Sequence, residues 1–320
     1  MNFLSTTDED ADETFERVYG PATYAFQYGG AHFVVLDNVL WNGYDGRNED
    51  GKPKTANYRG GLRDDQLEFI ENYVETIPRD DLVVLAMHIP ANGHGRHHIP
   101  RWSRVLEILS DHPNTLSLSG HMHTQTHSFF GSEEGYTPPN SAEHHHHNVG
   151  TASGAWWRGT PDEEGIPHAL MQDGTPNGYA ILQVNGNEYT ITYRAARRPA
   201  DEQIRIVTPQ VVDASPGEPV EILANVYNGC AKSRVRARIG DGEWIEMRHD
   251  PRNDPSVQEL HEREKRLNDH ITPMHPPREC AHIWSVMLPD DLPSGVHTIQ
   301  VEEVDMFGRR HTASRMVTVE

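Results

Sequence analysis

The sequence predicts an α/β domain over residues 1–200 followed by an all-β sandwich over 201–320. Three observations carry this. The 320 residues suffice for about two domains, each able to bury its own core. Up to residue 200, short apolar runs alternate with helical patterns, and a strand–helix–strand order occurs twice. After Pro199 the pattern changes to period-two alternation broken by turn residues. Apolar runs reach only the length of Leu82–Met87, far below the ~20 residues a bilayer-spanning helix needs.

Taken in order, Tyr24–Tyr28, Gly29-Gly30 and Ala31–Asp37 read as a hairpin on a glycine turn. Asp64–Ile77 places Leu67, Ile70 and Val74 at helical spacing behind two acidic residues and stops at Pro78. Leu82–Met87 is continuously apolar, as a strand buried on both faces must be. A second helix, Pro100–Leu109, leads into the strand Thr115–Ser119, which runs into Gly120-His121-Met122-His123. A histidine thus stands at the carboxyl end of each strand, the edge where open α/β sheets build sites. A hairpin from Tyr179 to Arg194 turns at Asn185-Gly186-Asn187. Beyond Pro199 the expected strands are Val220–Tyr227, Arg234–Ile239, Trp244–Met247, His282–Leu288, His297–Asp305 and Arg309–Val319. One helix interrupts them, capped by Asp254, started by Pro255 and supported by Glu259/Arg263 and Glu262/Arg266 spacing to about Leu267.

With 28 basic against 48 acidic residues the net charge is −20, a field that argues against a nucleic-acid partner gripped through its phosphates. Only Lys52, Lys54, Lys232 and Lys265 are lysines; an acidic, arginine-dominated surface suits a salty medium and equally serves ordinary solubility. The acidic stretch Asp8–Glu13 reads as a solvated lead-in, and Met1–Asp12 shows no signal-peptide pattern.

The 21 histidines are the outlying count, and they crowd between His88 and His147. Two cysteines exclude a thiolate zinc finger. In an extended segment, residues two apart point the same way about 6.5 Å apart, so His121 and His123 can reach two ions of a two-metal site about 3.5–4 Å apart. His88 supplies a third imidazole from the neighbouring strand. The plain alternative is three polar residues at solvated strand ends.

Met87-His88-Ile89-Pro90 and Ser119-Gly120-His121-Met122-His123, preceded by Tyr19–Phe26 and Ala31–Asn38, resemble the later part of a calcineurin-like metallophosphoesterase. The likeness continues through His145–Gly150, Gly154-Ala155-Trp156-Trp157, Asp173–Tyr179, Leu223–Gly229 and Gly295-Val296-His297. It is similar to the bacterial subfamily with a C-terminal β-sandwich. The resemblance implies a two-sheet, helix-flanked fold and hydrolysis of phosphomonoesters or phosphodiesters. It also implies two divalent or trivalent ions (iron, manganese or zinc), with His88 and His121 on one and His123 on the other. By similarity to purple acid phosphatases, His97 and His98 would face phosphate and support the leaving group; His94 matches less well. Relatives of this architecture are often exported.

The family's Asp-X-His and Gly-Asn-His motifs are absent, and the sole Gly-Asp, Gly240-Asp241, sits in a sandwich turn. The chain therefore resembles a family member without its N-terminal portion, or the second part of a split protein completed by a separate N-terminal fragment. Alone, three imidazoles could hold a single zinc with an open position, and two-ion hydrolysis should fail. The rival reading is a non-catalytic scaffold whose sandwich binds a partner or a surface glycan.

Three further expectations concern packing. His144–His147 should enter a strand, alternate faces and pack structurally. Trp156 and Trp157 could line a pocket mouth, but a tryptophan pair beside glycines reads first as buried core. Cys230 and Cys280 end and begin two sandwich strands, and could form a disulfide if those strands are antiparallel neighbours, which would imply an oxidising compartment.

Overall fold

A computed structural model describes residues 8, 11–49, 51, 55–93, 95–212, 220–267, 271–289 and 292–320. Its contacts divide into two compact units: Met1–Met122, His127–Asn148 and Gln183–Tyr189; and His123–Thr126, Val149–Leu182 and Thr190–Glu320. No described helix is long and apolar enough to cross a membrane.

The first unit opens with α1 (Glu13–Tyr19). Asp8 accepts a hydrogen bond from Trp41 N, and Ala11 is buried, so the acidic lead-in is tied down at these positions rather than wholly solvated. The expected hairpin forms as β1 (Tyr24–Tyr28) and β2 (Ala31–Val35). A second hairpin, β3 (Val39–Tyr44) with β4 (Ala56–Gly60), carries a register shift between Trp41 and Tyr44. Next come α2 (Asp64–Val74), β5 (Leu82–Ala86), α3 (Trp102–Leu109), β6 (Thr115–Ser119), β7 (Thr126–Phe130) and β8 (His144–Asn148). Six of these strands make one sheet in the order β1-β2-β5-β6-β8-β7. Within it β2, β5, β6 and β8 run parallel.

Leu67, Ile70 and Val74 of α2 and Trp102, Val105, Leu106 and Leu109 of α3 share one core cluster with Val83 and Leu85 of β5. That explains Val83 and Leu85 on one face of β5; Leu82 and Val84, on the other, are buried as well. Each such side chain, fully buried, contributes about 1.5–3 kcal/mol. α2 stops at Val74 because the chain tightens there, with Thr76 N and Ile77 N bonding to Tyr73 O and Val74 O. α3 starts two residues later than Pro100 because Arg101 is left-handed, φ 67°, which no helix accommodates.

The hairpin β9 (Gly178–Asn185) and β10 (Glu188–Ala195), whose tip Gln183–Tyr189 is assigned to the first unit and whose remainder to the second, turns at Gly186, φ 64°, a positive value that glycine adopts freely. It precedes β11 (Ile204–Val207), β12 (Val211–Val212), β13 (Glu221–Val226), β14 (Arg234–Ile239), β15 (Ile245–Glu246), β16 (Arg248–His249) and β17 (Arg252–Asn253). After α4 (Pro255–Arg266) come β18 (Glu279–Cys280), β19 (Ile283–Met287), β20 (Gly295–Val304) and β21 (Arg310–Val319). A four-stranded sheet, β11-β13-β19-β16, and a five-stranded one, β12-β21-β20-β14-β15, supply a common core. Ile204, Ile206, Ile222, Ala224 and Trp284 lie in one cluster with Val235, Ala237, Ile299, Val301 and Val317. The alternation read from the sequence is this inward-facing set.

The Asp254 side chain accepts from Ser256 N at 2.9 Å, capping α4. The ion pair α4 forms is Lys265–Glu262 at 3.5 Å, in place of the Glu259/Arg263 and Glu262/Arg266 pairs; such exposed pairs differ in worth by only tenths of a kcal/mol, so their choice is weakly fixed. The expected disulfide is absent. Cys230 and Cys280 are free and buried, because β18 pairs with β17 and sets Cys280 opposite Arg252, not beside Cys230. Thiol titration is expected to find neither group reactive in the native chain and both after denaturation without reductant; silence after denaturation would restore the disulfide.

Candidate functional site

The parallel pair β5 and β6 delivers two histidines at one edge. Beyond the strand ends the ladder continues, with Met87 N on Leu118 O at 3.0 Å and Gly120 N on His88 O at 3.1 Å. Asn38, fully buried just past β2, clamps the first turn: its Oδ1 accepts from His88 N (3.1 Å) and Ile89 N (3.0 Å), and its Nδ2 donates to Ile89 O (2.7 Å). His121 takes a left-handed backbone, φ 72°. Sparsely populated conformations of this sort concentrate at functional sites.

These restraints bring three imidazoles together. His121 Nδ1 lies 2.9 Å from His88 Nε2, and His121 Nε2 lies 2.7 Å from His97 Nδ1. Tyr58 of β4 sets its ring edge-on to His121 at 5.8 Å, and the Arg96 guanidinium lies 5.4 Å over Tyr58. Neither Tyr58 nor Asn38 carries a motif that would single it out; position just after β2 was the only cue for Asn38. Near the same strand end, Asp37 has its carboxyl pushed above the ordinary range, chiefly by burial, with the neighbouring Asp12 and Asp8 charges adding and Val39 N and Arg63 opposing.

The other sequence-derived candidates fall elsewhere. His98 is exposed, and its ring joins no hydrogen bond among the described residues. His94 lies outside the described residues. His123 belongs to the second unit, with φ 54°. Its Nδ1 meets Gly154 O at 2.7 Å and its ring packs on Trp156 at 4.5 Å. The carbonyl accepts only from an N–H, so the proton sits on Nδ1 and the Nε2 lone pair is presented, the tautomer metal-ligating histidines use. Burial, with Arg278 adding, lowers its pKa and keeps the ring neutral.

Whether these residues make a metal centre follows from the nitrogen geometry. Two imidazoles on one tetrahedral zinc stand about 3.3 Å apart at their nitrogens, so His88 Nε2 and His121 Nδ1 are nearly correctly spaced as a pair. His97, however, meets the opposite nitrogen of His121, and the three do not converge. Among the described residues no group of three or more His, Cys, Asp or Glu is placed to hold an ion. The present arrangement is therefore a hydrogen-bonded imidazole pair and not a closed metal site.

β8 is buried at all five positions. His144 and His146 face the hydroxyls of Thr115, Ser117 and Ser119, while His145 meets Tyr189 Oη at 2.7 Å and His127 Nδ1 at 2.8 Å. The tryptophan pair departs from expectation: Trp156 and Trp157 are 65% and 52% exposed, because both sit in left-handed turns that aim them outward.

The model for the C-terminal domain of calcineurin-like phosphoesterases matches residues 146–311, just over half the chain. The chain belongs to that family. The matched phosphoesterase domain runs from β8 into β21 and so takes in the Gly154–Trp157 and Asp173–Tyr179 segments as well as both sandwich sheets. No curated protein matches the chain. Among solved structures, a superoxide reductase (neelaredoxin) from Ignicoccus hospitalis is similar over 37% of this chain and 81% of its own, at 10% identity and a TM-score of 0.22, too low to support any argument.

Proposed function

We propose that the chain is the histidine-bearing part of a metal-dependent hydrolase of phosphate esters, phosphomonoesters or phosphodiesters. The observation that carries this is the His88–His121 pair, presented by the ends of adjacent parallel strands in a chain of this family. In this reading the carboxylate ligands lie on polypeptide outside these 320 residues, since no Asp-X-His or Gly-Asn-His occurs within them. The chain's own residues hold ligand positions: Asn38 fixes the His88 backbone, Gly154 fixes the tautomer of His123, and His97 backs His121 from the side away from His88. Edge strand β1 exposes Tyr24, Phe26 and Tyr28 on one face, an apolar surface suited to a further layer of the same enzyme. The identity of the metals, iron, manganese or zinc, and export from the cytoplasm complete the reading; elemental analysis and cell fractionation test them.

The decisive experiment adds a polypeptide bearing the three missing motifs, with manganese or zinc, and follows aryl phosphate turnover. Metal-dependent turnover is expected to appear and to fall at least about 100-fold in His121→Ala. The isolated chain is expected to turn over little. Turnover that ignores His121, or its absence together with partner binding retained by the His121→Ala chain, would favour the scaffold.

A further inference from the structure

We propose that Trp156 and Trp157, with Arg158, His275 and Arg278, form a binding platform for a phosphate ester that carries an aromatic ring, a nucleotide being the class that fits. This names a substrate class for the hydrolase reading and rests on it for the claim that the bound molecule is turned over. Binding itself needs no turnover.

The exposure of the indoles is built in. Trp156 and Trp157 have φ of 67° and 53°, between Gly154 at 50° and Gly159 at 99°, a backbone that side-chain-bearing residues rarely adopt. The loop has no room to relax. A Cβ on Gly154 would lie 1.5 Å from Ala169 O, and one on Gly159 2.1 Å from His168 Nε2. Trp157 N bonds to Ser153 O at 2.8 Å, Gly159 N to Thr272 O at 3.0 Å and Ala169 N to Arg158 O at 3.2 Å. Two large apolar side chains are thus held in water by a rigid frame, while a loop selected only for stability would bury them.

The charge beside them has the sign a phosphate needs. In a chain of net charge −20, Arg158 and Arg278 act on His275, and Arg278 acts also on His123, whose ring packs on Trp156 at 4.5 Å. Burial first, then the Arg158 and Arg278 guanidiniums, lower the His275 pKa. Neither Arg158 nor Arg278 makes an ion pair among the described residues. The buried Glu264 is fully engaged by Thr160 N and Oγ1, His168 Nε2 and Met274 N. Gly159 N on Thr272 O and Arg278 N on Gln172 O pin the two arginine-bearing segments. Guanidinium forks bind phosphate oxygens bidentately, and an exposed indole stacks a base. A bare phosphate or a sugar phosphate would use only half of this surface.

Calorimetry on the full chain with uridine monophosphate, uridine, inorganic phosphate and glucose 1-phosphate separates the contributions. Uridine monophosphate should bind tightest. Trp156→Ala should weaken it about tenfold or more while leaving glucose 1-phosphate unchanged, and Trp156→Phe should restore most of the loss. Arg278→Gln should weaken every phosphate-bearing ligand. Unchanged melting temperatures show that the variants fold, as exposed positions predict. Nucleotide affinity indifferent to Trp156, or glucose 1-phosphate binding as tightly as the nucleotide, overturns the platform. Trp156-dependent nucleotide binding without turnover in the completed enzyme leaves the platform standing and removes the hydrolase; turnover with Trp156-independent binding does the reverse.

Discussion

Asp173→Asn is expected to destabilise the second unit by about 3–5 kcal/mol, the usual cost of removing one partner from a buried ion pair. Asp173 is almost wholly buried. Its Oδ2 accepts from Gln125 N at 2.6 Å and faces His282 Nε2 at 3.4 Å, and its Oδ1 accepts from Thr175 N at 2.9 Å. His282 has no exposure and places Nδ1 3.3 Å from Cys280 Sγ. Burial works against charge on His282, yet proximity to Cys280 and Asp173 raises its pKa to about 10. Burial raises the Cys280 thiol as well, and Asp173 is the carboxylate side chain that faces the ring. An asparagine supplies neither that charge nor a second acceptor oxygen, so a buried imidazole loses its counter-ion. The sign of the pH dependence follows from the raised value. The contribution is full below the unfolded pKa near 6.5 and fades as pH climbs through about 10. Thermal melts at pH 7 should therefore separate parent and variant by roughly 10 °C, and the gap should narrow at pH 10. Equal melting temperatures at pH 7 would show that the pair carries no net stability.

Much of the backbone was legible because local pattern and tertiary role agree. Leu82–Leu85 is apolar throughout since both faces of the strand are buried, Gly29-Gly30 turns a hairpin, and Asp254-Pro255 starts α4. Where they disagree, reading fails. β3 and β4 were missed because Asn42-Gly43 looks like a turn, while the register shift lets the strand continue past it. The tryptophans were misread because hydrophobicity predicts burial, and only the φ values enforced by Gly154 and Gly159 reverse it. In the site, His88 and His121 follow from strand-end position. Family likeness singles out His97 as phosphate-facing and not as a partner of His121; that contact, like Asn38 and Tyr58, arises from chain crossings that no spacing rule encodes.

Acidification should unfold the first unit well before its carboxylates are neutralised, and His144 and His146 are the reason. Ala91 N donates to His146 Nε2 at 3.3 Å, so the His146 proton sits on Nδ1, which donates to Ser117 Oγ at 2.6 Å. The Ser117 hydroxyl must then donate to His144 Nε2 at 2.8 Å, and His144 Nδ1–H to Thr115 Oγ1 at 2.9 Å. Thr115 donates to Tyr136 Oη at 3.0 Å, and Tyr136 ends the chain on His112 O. Every donor is spent on an acceptor while both imidazoles stay neutral. A second proton on His144 Nε2 would point at the Ser117 hydroxyl that donates to it, and one on His146 Nε2 would cost the Ala91 N–H its acceptor, in a site with no exposure. That is why burial, aided for His144 by His146 and for His146 by His127, depresses both pKa values to about 3. The unfolded chain takes up these protons near pH 6.5 and the folded chain does not until about 3. Stability present above pH 6.5 is therefore lost as pH falls, at up to about 1.4 kcal/mol per pH unit for each histidine. Urea midpoints at pH 7, 5.5 and 4.5 should drop steeply in the parent. In His144→Gln/His146→Gln they should start lower at pH 7 and fall less, because glutamine takes up no proton. Parallel pH slopes for the two chains would show that these imidazoles are not what acid attacks.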